Sequence, residues 1–198
     1  MSQNTASEIW KNPDIGKVNA TDASDASIKG VQQGITVRPA SASWLRVSGY
    51  PPAPTAGVYG ALVITALDRF DNVATGFSGS VALTSSDPKA VLPASQTFTA
   101  AEAGVHPLGG VALKTAGAQS LTATDVANGA ISGQQTAIQV AAAAAASLLV
   151  TGFPSPVFAG TQATATVSAL DPFGNVAKSY VGTVHLGSSD TAHSVIPG

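Results

Sequence analysis

The chain contains no cysteine, which removes disulfides, thiolate metal sites and cysteine nucleophiles together. It is short of charge as well. Lys, Arg, Asp and Glu make up 10% of its 198 residues, against about 25% in an average globular domain. A net charge of −2 leaves no basic footprint for nucleic acid, and no Lys/Arg cluster offers itself to an anionic membrane surface. Aromatic residues reach only 6%, too few to supply a row of rings easily. No stretch approaches the roughly 18 apolar residues of a membrane span. The longest apolar run, Val140 to Ala146 and on through Leu148–Val150, is mostly Ala and is broken by Ser147. Met1–Asp14 has no basic segment followed by an apolar core, so it does not read as a signal peptide. An exported chain of this kind takes its signal from elsewhere, or from a signal of another type.

What is present favours a folded β protein. Hydrophobic residues reach 44%, rich in Val and Ile, and Thr is abundant; a disordered chain would instead be charge-rich and poor in β-branched residues. Twenty Gly and twelve Pro are spread along the chain, as expected for many short strands joined by frequent turns.

Organisation follows from an internal repeat. Gly49-Tyr50-Pro51 returns as Gly152-Phe153-Pro154, 103 positions further on. At the same offset Ala56-Gly57 becomes Ala159-Gly160, and Asp68-Arg69-Phe70-Asp71-Asn72-Val73-Ala74 becomes Asp171-Pro172-Phe173-Gly174-Asn175-Val176-Ala177. Gly79, Val81, Leu83 and Ser85-Ser86-Asp87 reappear as Gly182, Val184, Leu186 and Ser188-Ser189-Asp190; after one inserted residue Val91-Leu92-Pro93 matches Val195-Ile196-Pro197. Backwards, Ala20-Thr21-Asp22 aligns with Ala123-Thr124-Asp125, and Ile28, Gly30, Gln32, Ile35 and Val37 with Ile131, Gly133, Gln135, Ile138 and Val140. The chain divides accordingly into an unassigned lead-in (1–13), the C-terminal strands of one repeat (14–41), a complete repeat (42–145) and the N-terminal half of another (146–198).

Within the complete repeat, strands are expected around Leu45–Val47, Ala61–Leu67, Val81–Thr84, Gln96–Thr99, Val105–Leu113, Gln119–Thr124 and Ala130–Val140, with Thr164–Leu170 repeating the second of them. Alternation is plain in Thr164-Ala165-Thr166-Val167-Ser168-Ala169. Some seven short strands in about 100 residues, without helical period, describe an all-β antiparallel β-sandwich. The Ala141–Ala146 run is too short to nucleate a helix alone and reads as the crossing between repeats.

Four features could carry chemistry. The repeated Asp-x-Phe-(Asp/Gly)-Asn-Val-Ala loop offers Asp68, Asp71 and Asn72 to calcium, which needs six to eight oxygens, several of them carboxylate. The rival reading is a turn, with Gly174 and Asp71 in left-handed backbone, Asn72 and Asn175 as caps, and Phe70 and Phe173 as plugs. The second copy has Gly174 in place of an acid, which favours the turn. Ser85-Ser86-Asp87 and its repeat suggest a hydrolase until a base is sought. His106, His185 and His193 do not recur with it, and a triad needs all three groups together. Tyr50/Phe153 and Phe77/Tyr180 exchange aromatics between copies, which fits packing better than a sugar platform; of the unrepeated Trp10 and Trp44, the second is the one expected to be buried. Asn19-Ala20-Thr21 matches a glycosylation sequon, but its counterpart is Thr122-Ala123-Thr124. No catalytic, cofactor-binding or metal-ligating residue is assigned.

Taken together, Leu-x-Val-x-Gly-(Tyr/Phe)-Pro, Ala-Gly, Ala-Leu-Asp-x-Phe-x-Asn-Val-Ala and Gly-x-Val-x-Leu-x-Ser-Ser-Asp resemble bacterial immunoglobulin-like tandem repeats of large exported and cell-surface proteins, distantly of the invasin and intimin type. The resemblance covers nearly all of 14–198, and Asp71 stands where the usual residue is Gly. It implies an immunoglobulin-like sandwich, an extracellular or cell-surface location, and a non-enzymatic spacer, stalk or adhesion role. It also implies adjacent repeats as neighbours and a surface protein or glycan as possible ligand, with no nucleic acid and no membrane insertion. The alternative is a carbohydrate-binding accessory module of an exported polysaccharide-active enzyme.

Overall fold

A computed structural model describes residues 10–189. They form antiparallel sheets almost throughout; the one helical segment among the described residues is a 3₁₀ turn, Ala100–Glu102. The chain falls into two compact units divided between Ala141 and Ala142.

In chain order the first unit holds β1 (Ile15–Thr21), β2 (Lys29–Thr36), β3 (Trp44–Ser48), β4 (Tyr59–Leu67), β5 (Ser80–Ser85), β6 (Gln96–Thr97), β7 (Val105–Ala112), β8 (Gly117–Asp125) and β9 (Ser132–Val140). β1 and β2 make a separate hairpin, β3-β4-β7 a three-stranded sheet, and β6-β5-β8-β9 a four-stranded sheet. Side chains alternate as the pleat requires: in β3, Leu45 and Val47 are buried while Arg46 is exposed. Leu62 and Ile64 of β4, Val81 of β5, Val111 of β7, Leu121 of β8 and Ile138 of β9 are buried with them. Both sheets thus contribute to the core, where each fully buried Leu, Ile or Val is worth roughly 1.5–3 kcal/mol. β9 passes so close to β3 that a β-carbon at Gly133 would run into the Leu45 carbonyl. Gln135 fixes the same crossing: its Oε1 accepts from the Tyr50 amide at 3.1 Å, and its Nε2 donates to the Tyr50 carbonyl at 2.7 Å.

The second unit pairs β10 (Ser147–Thr151) with β11 (Thr166–Leu170). Ser147↔Leu170 through Thr151↔Thr166 repeat, 103 positions on, the register Trp44↔Leu67 through Ser48↔Val63 of β3 and β4. Here β10 is exposed throughout and β11 is half-buried after Thr166.

Strand bounds shift by one or two residues at several ends. The strand expected over Gln96–Thr99 ends at Thr97, because Thr99 leaves it to begin the 3₁₀ turn, where its amide donates to the Glu102 carboxylate at 2.6 Å. β9 starts at Ser132 rather than Ala130, since Ile131 closes a turn by donating to Asn128 O at 2.9 Å. β11 starts at Thr166 rather than Thr164. The Ala run forms no helix: Ala141 makes a parallel bridge to Thr55, and the unit boundary follows it.

Candidate functional site

The loop after β4 is organised around one carboxylate. Asp68 is completely buried. Its Oδ1 accepts from the Phe70 amide at 2.8 Å and the Asn72 amide at 3.0 Å. Its Oδ2 accepts from Asn72 Nδ2 and from the Ala40 amide, both at 3.0 Å. The backbone closes around it: the Asp68 amide donates to Asn72 O at 2.9 Å, and the Asp71 amide to Asp68 O at 3.1 Å. Asp71 takes φ 67°, the left-handed region that Asp tolerates better than most residues. Phe70 is half-buried beneath the Arg69 guanidinium, which sits 4.6 Å from its ring centroid.

The second copy repeats this bond for bond. Asp171 Oδ1 accepts from the Phe173 amide at 2.9 Å and the Asn175 amide at 2.8 Å. Its Oδ2 accepts from Asn175 Nδ2 at 2.8 Å and the Ala143 amide at 3.0 Å. Gly174 takes φ 86°, the counterpart of Asp71. In both loops the carboxylate reaches 28 residues back along the chain and holds the segment that leads into β3 or β10. The grip is doubled by Ser43 N–H to Leu67 O and by Ala146 N–H to Leu170 O, both at 2.7 Å.

This electrostatic setting decides what the site can do. Burial works to raise the Asp68 pKa, but the Asn72 side chain and the amides of Ala40, Phe70 and Asn72 overcome it, holding the group to about 2 from an ordinary 3.8. Asp171 is lowered by the same balance. A carboxylate so acidic is a weak general base at neutral pH, and its lone pairs already face N–H donors rather than open space. Asp71, the second acid of the calcium reading, is exposed. Among the described residues no three His, Asp or Glu side chains converge as metal ligands do. Asp68 and Asn72 are brought together, as hydrogen-bond partners. The arrangement is a clasp.

Ser85-Ser86-Asp87 is a second one. Asp87 is buried; its Oδ1 accepts from the Lys89 amide at 2.9 Å and the Thr115 hydroxyl at 2.6 Å. Its Oδ2 accepts from the amides of Lys114 and Thr115. Burial opposes ionisation here too, and the Thr115 hydroxyl and these amides lower the pKa nonetheless. Ser85 Oγ donates to Ser120 O at 2.9 Å, and Ser86 Oγ to Gln119 Oε1 at 2.6 Å. No histidine bonds to them: His106 pairs instead with Glu102 at 2.6 Å, His185 is exposed, and His193 and Asp190 lie outside the described residues. The 3₁₀ turn that carries Glu102 has a sequence signal, the capping-box pattern Thr99-x-x-Glu102; the Glu102–His106 pair has none beyond its spacing of four. A shallow depression of about 390 Å³ beside Ala40, Ala74 and Phe77 has no titratable side chain in its lining. Phe77 packs edge-on against Phe98, centroids 5.0 Å apart; Trp44 is half-buried and Trp10 exposed.

Fold and site together define an all-β protein of antiparallel sheets, with its buried acids committed to backbone amides. No protein-family model matches the chain, and no curated protein matches it in sequence. Among solved structures it is similar to surface layer protein SbsC, domains 4–9, at 15% identity and a TM-score of 0.37, covering 86% of this chain and 25% of that one. The chain therefore spans about a quarter of that structure's length. Among the described residues no helix is long and apolar enough to cross a membrane.

Proposed function

We propose that the chain is a non-enzymatic structural module, a spacer or stalk segment of a bacterial surface or secreted protein, built of immunoglobulin-like β-sandwiches repeated every 103 residues. One observation carries the reading: two loops 103 residues apart each spend a buried aspartate on the same four donors. Machinery that is duplicated and fully occupied serves architecture rather than turnover. Each clasp pins the entry segment of its repeat, so that every copy starts its first strand from a fixed point. The low-charge surface rich in Ser, Thr and Gly suits a rod that stays free of nucleic acid and lipid, with adjacent repeats as its first partners and adhesion to a surface protein or glycan at its far end. A carbohydrate-binding role draws little support from the first unit. Among its described residues only Trp10 and Tyr59 are large exposed aromatics, and two rings make a short platform.

Small-angle scattering on polypeptides carrying one, two and four copies of residues 39–141, which keep Ala40 and the 103-residue period, tests this. A stalk requires the maximum dimension to grow in proportion to copy number. A compact particle whose dimension levels off contradicts it.

A further inference from the structure

An uncovered sheet edge is a template for a strand of another chain, and the two larger sheets of the first unit end on β3, β7, β6 and β9. β3 and β9 close on each other. Beyond the Gln135–Tyr50 bonds, the Gln139 amide donates to Pro52 O at 2.8 Å and the Ala141 amide to Pro54 O at 2.9 Å. β6 is two residues long, too short to template a partner. β7, with eight residues, is the long edge. One end of it is taken, where Val91 and Ala112 exchange amide bonds of 2.8 and 3.0 Å. The rest lies in the open, with Val105, Pro107, Gly109 and Gly110 exposed.

Parity along the strand decides which groups this edge presents. Residues of an antiparallel strand turn their backbone N–H and C=O alternately to one neighbour and the other. Just before β7, Gly104 O accepts from the Ala66 amide at 2.9 Å, so Gly104 faces β4. His106 and Leu108, paired with Ile64 and Leu62, face it too. Val105, Pro107 and Gly109 therefore turn their backbone groups outward. The middle one has no N–H. Its pairing with Val63 loses nothing by this, because that position does not donate to β4. Further along, the edge is bent. β7 has one residue more than β4 between the pairs Gly60↔Val111 and Leu62↔Leu108, and Gly110 lies in this bulge at φ 77°.

We propose that Pro107 guards this edge, and that what it keeps out is the same edge of a second copy. Two β7 strands meeting antiparallel about their outward-facing residues set residue 107 opposite itself, with 105 opposite 109 on either side. Strand addition draws its affinity from main-chain bonds. The central pair needs two of them, each donated by the N–H of residue 107, and proline removes both together. Charge is the other common protection of an exposed edge, and β7 has no Lys, Arg, Asp or Glu. On a strand so neutral the missing N–H carries the protection, with the Gly110 bulge beside it.

Light scattering on the full chain across a concentration series tests this. Pro107→Thr restores an outward N–H and a strand-forming side chain and leaves the bonds to β4 in place. At concentrations where wild type keeps its mass of 19.5 kDa, this variant is expected to rise to about double, because an edge that meets its own copy closes as a two-fold dimer. Pro107→Ala supplies the N–H without the branched side chain and should move the same way, less far. Adding Val105→Pro to Pro107→Thr shifts the missing N–H to a neighbouring outward position and should return the mass to that of wild type. Dilute Pro107→Thr should melt with the wild-type transition. A Pro107→Thr chain with the mass of wild type throughout overturns the proposal, and so does a double variant that associates as Pro107→Thr does. Association accompanied by a lowered melt of the dilute chain overturns it as well, since lost folding rather than an opened edge then joins the copies.

Discussion

Leu45 and Leu148 stand 103 positions apart on strands paired in the same register, yet Leu45 is 0% exposed and Leu148 46%. Val47 and Val150 differ likewise, at 4% and 55%. The clasps beside them do not differ: Asp68 and Asp171 hold equivalent donors, with Oδ2 3.0 Å from Ala40 N and Ala143 N respectively. What is local is therefore written into each copy independently. Hairpin register, left-handed turn residues and the carboxylate clasp all recur without help from a completed core. Burial is what differs: β3–β4 of the first unit is covered by β7, β8 and β9, whereas the described residues of the second unit reach only as far as the counterparts of β5. A two-stranded hairpin is marginal by itself in water. The first unit has a core and the second has the face of one.

Truncating the same residue in each copy should separate the two units most strongly. Leu45→Ala is expected to cost about 3 kcal/mol, as cavity-forming changes of this kind do. Leu148→Ala should stay within about 0.5 kcal/mol, as exposed substitutions do. Denaturant unfolding of the cooperative transition, at concentrations where the chain is monomeric, measures both. Equal costs would mean that the second unit has a core of its own.

Acid provides the next contrast. The folded-state pKa of Asp68, about 2, lies below its ordinary 3.8. Its contribution is therefore fully present above 3.8 and is lost as pH falls from there through about 2. Asp87 is shifted in the same direction. The melting temperature of the first unit should thus fall across that window, and Asp68→Asn, which cannot ionise, should flatten the fall. An unchanged pH profile in Asp68→Asn would remove the clasp from the account.

Smaller again is the Gln135 clamp on Tyr50. Gln135→Ala should cost about 1 kcal/mol, the net worth of a typical hydrogen bond, whereas Gln32→Ala in the monomeric chain should cost nothing measurable. At the bottom of the scale, thermal melts with and without a calcium chelator should superimpose, because the Asp68 oxygens are taken by N–H donors. A large drop on chelation would restore the metal reading of Asp68, Asp71 and Asn72.

Much of this was legible from residue order because the repeat made it so. Gly49-Tyr50-Pro51 and its copy announced the strand before it, and the Asp71/Gly174 exchange pointed to positive φ, since those two residues share little else. The long-range ties were not legible. Asp68 to Ala40, Asp87 to Lys114 and Gln135 to Tyr50 each join a side chain to a distant backbone amide or carbonyl, and a backbone group has no residue identity for a pattern to detect. The strand expected through Thr99 ended early because a capping interaction at Glu102 outweighed β propensity, although Thr-x-x-Glu was there to be read. Burial was the least legible property. Leu-x-Val alternation looks the same in both copies, and only the strands that cover it make the difference.

Native-state hydrogen exchange at low concentration tests that distinction most directly. β4 amides from Ile64 to Leu67 are expected to exchange only through global unfolding. Their counterparts in β11, from Val167 to Leu170, should exchange at least about 100-fold faster through local opening. Equal protection of the two strands would show that the second unit is as firmly held as the first, and would contradict the claim that later strands, rather than the repeated hairpin and clasp, create the core.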